Sequence, residues 1–379
     1  MTEIEIYSDY IKLDAFLKFC GAVGTGGEAK LRIADGAVNV ISGKNAQGKT
    51  NLLEAVYLLS GGRSFRTRFD RELIGFDEEF ANVRADVFSG DRSQHIDILL
   101  RRSGRKTVTV NRVNTAAGKL AEVVNTVLFC PDDLNLLRDG PAARRRLMDL
   151  AISQLRPGYA QLLADYHRLY DNKMRILRDY REDPAMLDTL DAFSDGLARA
   201  SARLIRYRAA YALRLSAAAA PIHRDFSGAD EALGVEYSTV STVTDPTASE
   251  QAIYMQIAEH QRLHRAAELA SGNCLTGAHK DDLEITVNGR SARAFASQGQ
   301  TRTAALSLKL AEREIFLAET GEYPILLLDD VLSELDARRQ DFVLNRIGGG
   351  QTLITCCEDA QIAEKTGGRV IMIDKGCIV

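Results

Sequence analysis

The chain has 379 residues, 45% hydrophobic and 26% charged, with 7 prolines and no tryptophan; that is an ordinary soluble composition, long enough for two domains or three. No apolar run approaches the ~18 residues of a membrane span, and "MTEIEIYSDY" has no basic stretch ahead of an apolar one, so a cytoplasmic protein without a membrane partner is expected. The net charge is −4, and residues 321–379 hold ten acidic and six basic side chains, so any nucleic-acid contact must come from a local patch.

In chain order, "AVNVIS" (37–42) is a short β-branched run of buried-strand type. "GKNAQGKT" (43–50) follows it, and "KTNLLEAVYLLSGG" then places apolar residues at 52, 53, 56, 58 and 59 before a glycine pair, which predicts a helix and its C-cap. Residues 81–129 alternate as strands do, in "HIDILL", "KTVTVNRV" and "NTVLFC", with "NRVN" as a hairpin. From about 141 to 220 the period turns helical, yet no heptad is sustained, which argues against a long coiled coil. Loop and strand are expected over 221–247 and a helix over 248–270. That helix carries His260 and His264 one turn apart, but Gln261 stands where a zinc protease needs glutamate, so no metal is assigned there. The six cysteines include no CxxC pair, and neither a disulfide framework nor a zinc site follows from them. After 271 come the strand "LEITV", the helix "RTAALSLKLAEREIFLAE", the strand "PILLLDD", a helix, and the strands "TLITCC" and "RVIMI". The α/β stretches at the two ends are expected to form one domain around a helical insertion.

Three elements carry chemistry. Gly43, Lys44, Asn45, Ala46, Gln47, Gly48, Lys49 and Thr50 match G-x-x-x-x-G-K-[ST] between a strand and a helix, the context the motif needs. Its backbone N–H groups and helix N-terminus would hold phosphate oxygens of ATP; Lys49 would reach the β- and γ-phosphates and Thr50 would serve Mg²⁺. "PILLLDD" ends in two carboxylates that are costly to bury without a cation or hydrogen bonds. Asp329 suits the Mg²⁺ role, and Asp330 the side facing an attacking water. "FASQGQTRT" places Ser297 and Gly299 at a helix start, where they would meet a nucleotide held by another subunit. The order of loop, signature helix, acidic strand and "SELD" (333–336) resembles the ABC-type ATPase heads of the SMC class.

Five stretches resemble the RecF family of bacterial DNA replication and repair proteins more closely still. They are "GKNAQGKTNLLEAVYLLSGGRSFRT", "LFCPDDLNLLRDGPAARRRLMDL", "TGAHKDDLEI", "ASQGQTRTAALSLKLAE" and "LLLDDVLSELDARR". The resemblance implies an α/β head of ABC/SMC type, formed by residues 38–134 and 273–379, with a compact helical lobe over 135–272. It implies an ATP-dependent homodimer that binds DNA at single-strand gaps and works with RecR and RecO to load RecA. Asp330 is then the catalytic base, Ser297, Gly299 and Gln300 engage ATP across the dimer, and Asp336 is an interface residue. An ATP-binding scaffold that does not hydrolyse, or another SMC-like ATPase, stays as the alternative. Residues 1–37 depart from the family: "KLDAFLKF" and "GGEAKLRIA" resemble an S4-type RNA-binding segment, with the head's usual first strands missing or replaced. The DNA candidates are Arg63, Arg66 and Arg68; Arg101, Arg102, Arg105 and Lys106; and Arg144, Arg145 and Arg146.

Overall fold

The computed structural model describes residues 5–7, 38–89, 92–227, 231–356, 360–374 and 376–378. They divide into two compact units, one running to Leu134 and resuming at Glu312, the other spanning Asn135–Ala311.

The first unit opens with β1 (Glu5–Tyr7), β2 (Val38–Ser42), α1 (Lys49–Gly61), β3 (Phe80–Ser89), β4 (Arg92–Arg101), β5 (Thr107–Val110), β6 (Val113–Asn114) and β7 (Thr126–Phe129). Strands β3 to β6 form an antiparallel meander. Val110 faces Val113 across Asn111 and Arg112, whose φ values of 51° and 66° make the two-residue turn expected at "NRVN". The parallel sheet draws on both ends of the chain, because its remaining strands lie beyond residue 320.

The second unit holds α2 (Pro141–Leu155), α3 (Tyr159–Asp179), α4 (Leu187–Ser227), β8 (Leu233–Ser238), α5 (Glu250–Leu263), α6 (Arg265–Ser271), β9 (Asp282–Val287), β10 (Arg290–Ser291) and α7 (Ala292–Phe295). The 41-residue α4 packs along α3, α5 and β8. Such a helix, covered by neighbours on several sides, has no need of a heptad seam. The unit runs on to Ala311 instead of stopping at 272, since β9 pairs antiparallel with β8 and Arg144 of α2 grips Asp282 at 2.7 and 2.9 Å. Helix α8 (Gln298–Thr320) contains the boundary between Ala311 and Glu312.

The chain then returns to the first unit with β11 (Ile325–Asp329), α9 (Ala337–Leu344), β12 (Thr352–Cys356), α10 (Ala360–Thr366), β13 (Arg369–Asp374) and β14 (Cys377–Ile378). The six-stranded sheet has the order β14-β13-β2-β12-β11-β7, parallel apart from β14. Every residue of β2, β11 and β12 is buried, as in central parallel strands covered on both faces. Leu52, Leu53, Val56 and Leu59 of α1 share one core with Ile41, Leu327 and Leu353 of this sheet and with Ile96, Ile98 and Leu100 of β4. Each such side chain contributes about 1.5–3 kcal/mol by leaving water. The loop after β2 is therefore held on a rigid base.

The S4-like stretches over 12–19 and 26–34 lie outside the described residues. The edge of the meander does carry an N-terminal strand: Glu5, Ile6 and Tyr7 pair in parallel with Arg84, Ala85 and Asp86. Of the two expectations for the head's usual first strands, missing or replaced, this short strand fits replacement.

Candidate nucleotide site and its family

The site lies at the carboxyl ends of the parallel strands, where open α/β sheets bind ligands. At Gly43 (φ 155°) a β-carbon would collide with the Ile373 carbonyl, and Gly48 (φ 100°) occupies a left-handed position just before α1. Both glycines are thus set by close backbone approach and positive φ. The Gly376 N–H donates to the Gln47 carbonyl at 2.9 Å, which ties the loop to the β13–β14 turn. Helix α1 has no side-chain cap and no acidic residue in its first turn, so no carboxylate of that turn offsets its positive end.

Lys49 is 8% exposed, and its ammonium donates to the carbonyls of Gly43 and, at 3.3 Å, Lys44. The Thr50 hydroxyl donates to Asp329 Oδ1 at 2.9 Å, so two residues 279 positions apart in sequence meet here. The Thr355 hydroxyl reaches the same oxygen at 2.9 Å and accepts the Asp330 N–H at 2.8 Å. Asp330 itself has φ 51°, the left-handed region unusual for a residue with a side chain. Ser333 donates to its carbonyl at 2.6 Å, and among the described residues its carboxylate has no hydrogen-bond partner. Hard oxygen donors at Thr50 and Asp329 beside a lysine and a helix N-terminus fit a Mg²⁺-bound triphosphate.

The other expected residues sit elsewhere. Ser297, Gly299 and Gln300 belong to the second unit, where the Ser297 hydroxyl accepts the Gln300 N–H at 3.2 Å and the Gln300 side chain accepts the Ser297 N–H at 2.9 Å. That reciprocal pair is a capping box. The Gln300 amide also donates to Glu231 at 2.7 Å, and Thr303 bonds the Gly299 carbonyl at 2.9 Å. Asp336 caps α9 by accepting the Arg339 N–H at 3.0 Å and pairs with the Arg339 guanidinium. These contacts, the backbone N–H foremost, hold its carboxyl below the usual range.

The arginine clusters divide in the same way. Arg66 donates to Asn51 at 2.9 Å and Glu54 at 3.2 Å on the first turns of α1. Arg102 donates to the carbonyls of Gly75, Phe76 and Glu78 at 2.5–2.9 Å, Arg101 to Thr107 at 2.8 Å, and Lys106 to Asp70 at 3.1 Å. Arg144 is buried on Asp282 and Arg145 donates to the Asp281 carbonyl at 2.6 Å, so both are occupied within their own unit. Arg63, Arg68 and Arg105 are exposed. Sequence reasoning missed the role of Thr355, because nothing local in "TLITCC" announces a partner on another strand.

The fold and this site define a P-loop head of the ABC/SMC class with an inserted helical lobe. The family model described as "RecF/RecN/SMC N terminal domain" matches residues 26–376. The DNA replication and repair protein RecF of Lactobacillus acidophilus is 40% identical over 325 residues, 85% of this chain and 86% of that protein. Its namesake in Oceanobacillus iheyensis is 39% identical over 84% of this chain and 87% of its own length. Among solved structures, the recombination mediator protein RecF with ATPrS, in the RecFOR pathway, gives a TM-score of 0.84 at 34% identity over 90% of this chain and 91% of that one. The ATP form gives 0.82 at 35%, covering 91% of each. An Smc head domain from Pyrococcus furiosus shares the fold at a TM-score of 0.50 and 14% identity, covering 91% of this chain and 89% of that one. The chain belongs to the RecF family of DNA replication and repair proteins. Among the described residues no helix is long and apolar enough to cross a membrane.

Proposed function

We propose that this chain binds ATP with Mg²⁺ at Gly43–Thr50 and acts as an ATP-gated dimeric clamp on DNA at single-strand gaps, in concert with RecR and RecO in loading RecA. The observation that carries the reading is the meeting of Lys49, Thr50 and Asp329 on one loop and strand end, with Thr50 and Asp329 2.9 Å apart. Lys49 would exchange its two carbonyl partners for phosphate oxygens, and α1 would present its N-terminus to the same charge. Thr50 and Asp329 would hold the cation, which when bound neutralises charge developing on the transferred phosphoryl group. The Asp330 carboxylate would accept the proton of the attacking water. Ser297, Gly299 and Gln300 would meet the nucleotide of a second copy, and Asp336 would line that interface. Of the arginine candidates for DNA phosphates, Arg63, Arg66, Arg68, Arg101, Arg102, Arg105 and Arg146 are exposed. Differential affinity of a few kcal/mol between open and closed pairs would drive closure.

Titration calorimetry with ATP and Mg²⁺ tests the base of this reading. Lys49→Ala should abolish binding, because the loop loses its mobile positive charge; unchanged affinity would sink the assignment of the loop. Phosphate release with and without gapped DNA then tests turnover.

A further inference from the structure

Thr355 sits where the topology of the sheet concentrates the chemistry. Strand β12 lies between β2, which leads into the phosphate loop, and β11, which ends in the two acids. In register, Thr355 pairs with Ile41 on one side and with Asp329 on the other. The residue is 1% exposed, so its hydroxyl must be satisfied by protein. One hydroxyl has one proton to give, and the geometry shows where it goes. The proton points to Asp329 Oδ1 at 2.9 Å; the Leu328 carbonyl, at 3.5 Å, is too far to compete. A lone pair receives the Asp330 N–H at 2.8 Å.

These two bonds act on different functions. Asp329 Oδ1 takes hydroxyls from both Thr50 and Thr355, and among the described residues Oδ2 has no donor. Thr50 is the residue assigned to the cation, so Thr355 is the donor that remains to orient Asp329. The second bond clamps Asp330. Its peptide N–H is held by Thr355 and its carbonyl by Ser333 at 2.6 Å, while its carboxylate is unbonded among the described residues. A left-handed residue with a side chain persists only where its surroundings over-determine it. Without the Thr355 oxygen the Asp330 backbone is free to leave φ 51°, and its carboxylate swings with it.

From this we infer that Thr355 is a positioning residue for hydrolysis: a single buried hydroxyl that aims the cation-binding carboxylate and locks the backbone of the catalytic base. The inference rests on the ATP reading above and deepens it. It separates binding from turnover, because among the described residues Thr355 bonds only Asp329, Asp330 and Leu328, and neither Lys49 nor a loop amide.

The test compares Thr355→Val, which keeps the shape and removes the hydroxyl, with Thr355→Ser, which keeps the hydroxyl. In Thr355→Val, kcat should fall about 100-fold, the usual size for a group misplaced by an ångström, while ATP affinity measured without Mg²⁺ stays within about threefold. Thr355→Ser should recover most of the rate. Amide hydrogen exchange, which needs no nucleotide, should show the Asp330 N–H protected in the wild type and in Thr355→Ser, and faster in Thr355→Val. A Thr355→Val protein with wild-type kcat and unaltered Asp330 exchange overturns the inference. So does a Thr355→Ser protein as slow as Thr355→Val, since that would make the methyl group the part that matters. Failure of the ATP reading looks different: a wild type whose ATP binding is no better than that of Lys49→Ala. Asp330 exchange then still decides whether Thr355 holds the backbone.

Discussion

At Asp330 the backbone is fixed and the side chain is free, an arrangement suited to a base that must meet a water and take its proton. Asp329, the residue before it, shows the opposite: it is 7% exposed and one of its carboxylate oxygens is bonded by two hydroxyls. Local bonding thus sets two adjacent aspartates apart, which is what the proposed roles of cation holder and proton acceptor require. Asp330→Asn should preserve ATP binding but lower kcat about 10²–10⁴-fold, because the amide can hold water yet cannot accept its proton. Single-turnover phosphate release measures it, and sedimentation should find an ATP-bound dimer that persists. Hydrolysis at the wild-type rate would place the base elsewhere.

At the scale of elements, the helical lobe is organised by buried charge as well as by its apolar stripe. Arg208 of α4 donates to both oxygens of Asp149 on α2 at 2.8 Å, to Asp281 ahead of β9 at 2.7 Å, and to the Ala278 carbonyl at 2.7 Å. One guanidinium therefore ties two helices to the approach of a strand, and Thr239 adds a bond to Asp281 at 2.6 Å. Burial still pushes the Asp281 carboxyl up, with Arg208 the chief group opposing the rise. Arg208→Met should lower unfolding stability by about 3–5 kcal/mol at neutral pH, since it leaves carboxylates buried without a counter-charge. The deficit should shrink as the pH falls, because protonation relieves the buried carboxylates, a liability that Arg208 offsets only in part in the wild type and that the variant carries in full. Urea unfolding at several pH values checks both statements; a loss that does not vary with pH would mean packing, not charge, is what Arg208 supplies. Arg144, read from sequence as a DNA candidate, plays the same structural part through Asp282.

For the whole molecule, the phosphate loop and the Ser297 helix start belong to different compact units, and each is finished by contacts within its own unit. In the proposed clamp, the helix start meets the nucleotide of a second copy. Ser297→Arg should leave ATP binding by the monomer nearly intact, as the loop is untouched, and should block the closed dimer by placing a bulky side chain against the partner's γ-phosphate. DNA affinity should fall with closure, and the binding that remains should depend less steeply on salt, since fewer phosphates are neutralised. Light scattering with ATP and Mg²⁺ decides the matter. A Ser297→Arg protein that still dimerises on ATP rules out this architecture.

The phosphate loop, its strand and its helix were legible from sequence because each is a local event: a β-branched run, glycines at fixed offsets, and apolar residues at helical spacing across thirteen residues ending at Gly61. The acidic strand was legible for the same reason, as an apolar run closed by two carboxylates, and so was the Asn111–Arg112 turn. The resemblance to RecF rested on five contiguous stretches, among them the phosphate loop with its helix and the acidic strand, and the family comparisons agree with it. Tertiary structure alone decided which partners such residues meet. Strand order puts β12 between the loop and the acids, and register sets Thr355, not its neighbours, against Asp329. Pairing of β8 with β9 carries the second unit past 272, and burial turns Arg144 from a surface charge into a clamp. Local periodicity records how a segment folds against its own backbone and, through a tight turn, how a hairpin pairs; the order and pairing of strands distant in sequence and the choice of buried ion pairs are set by competition among those segments for the same core, which no one of them records.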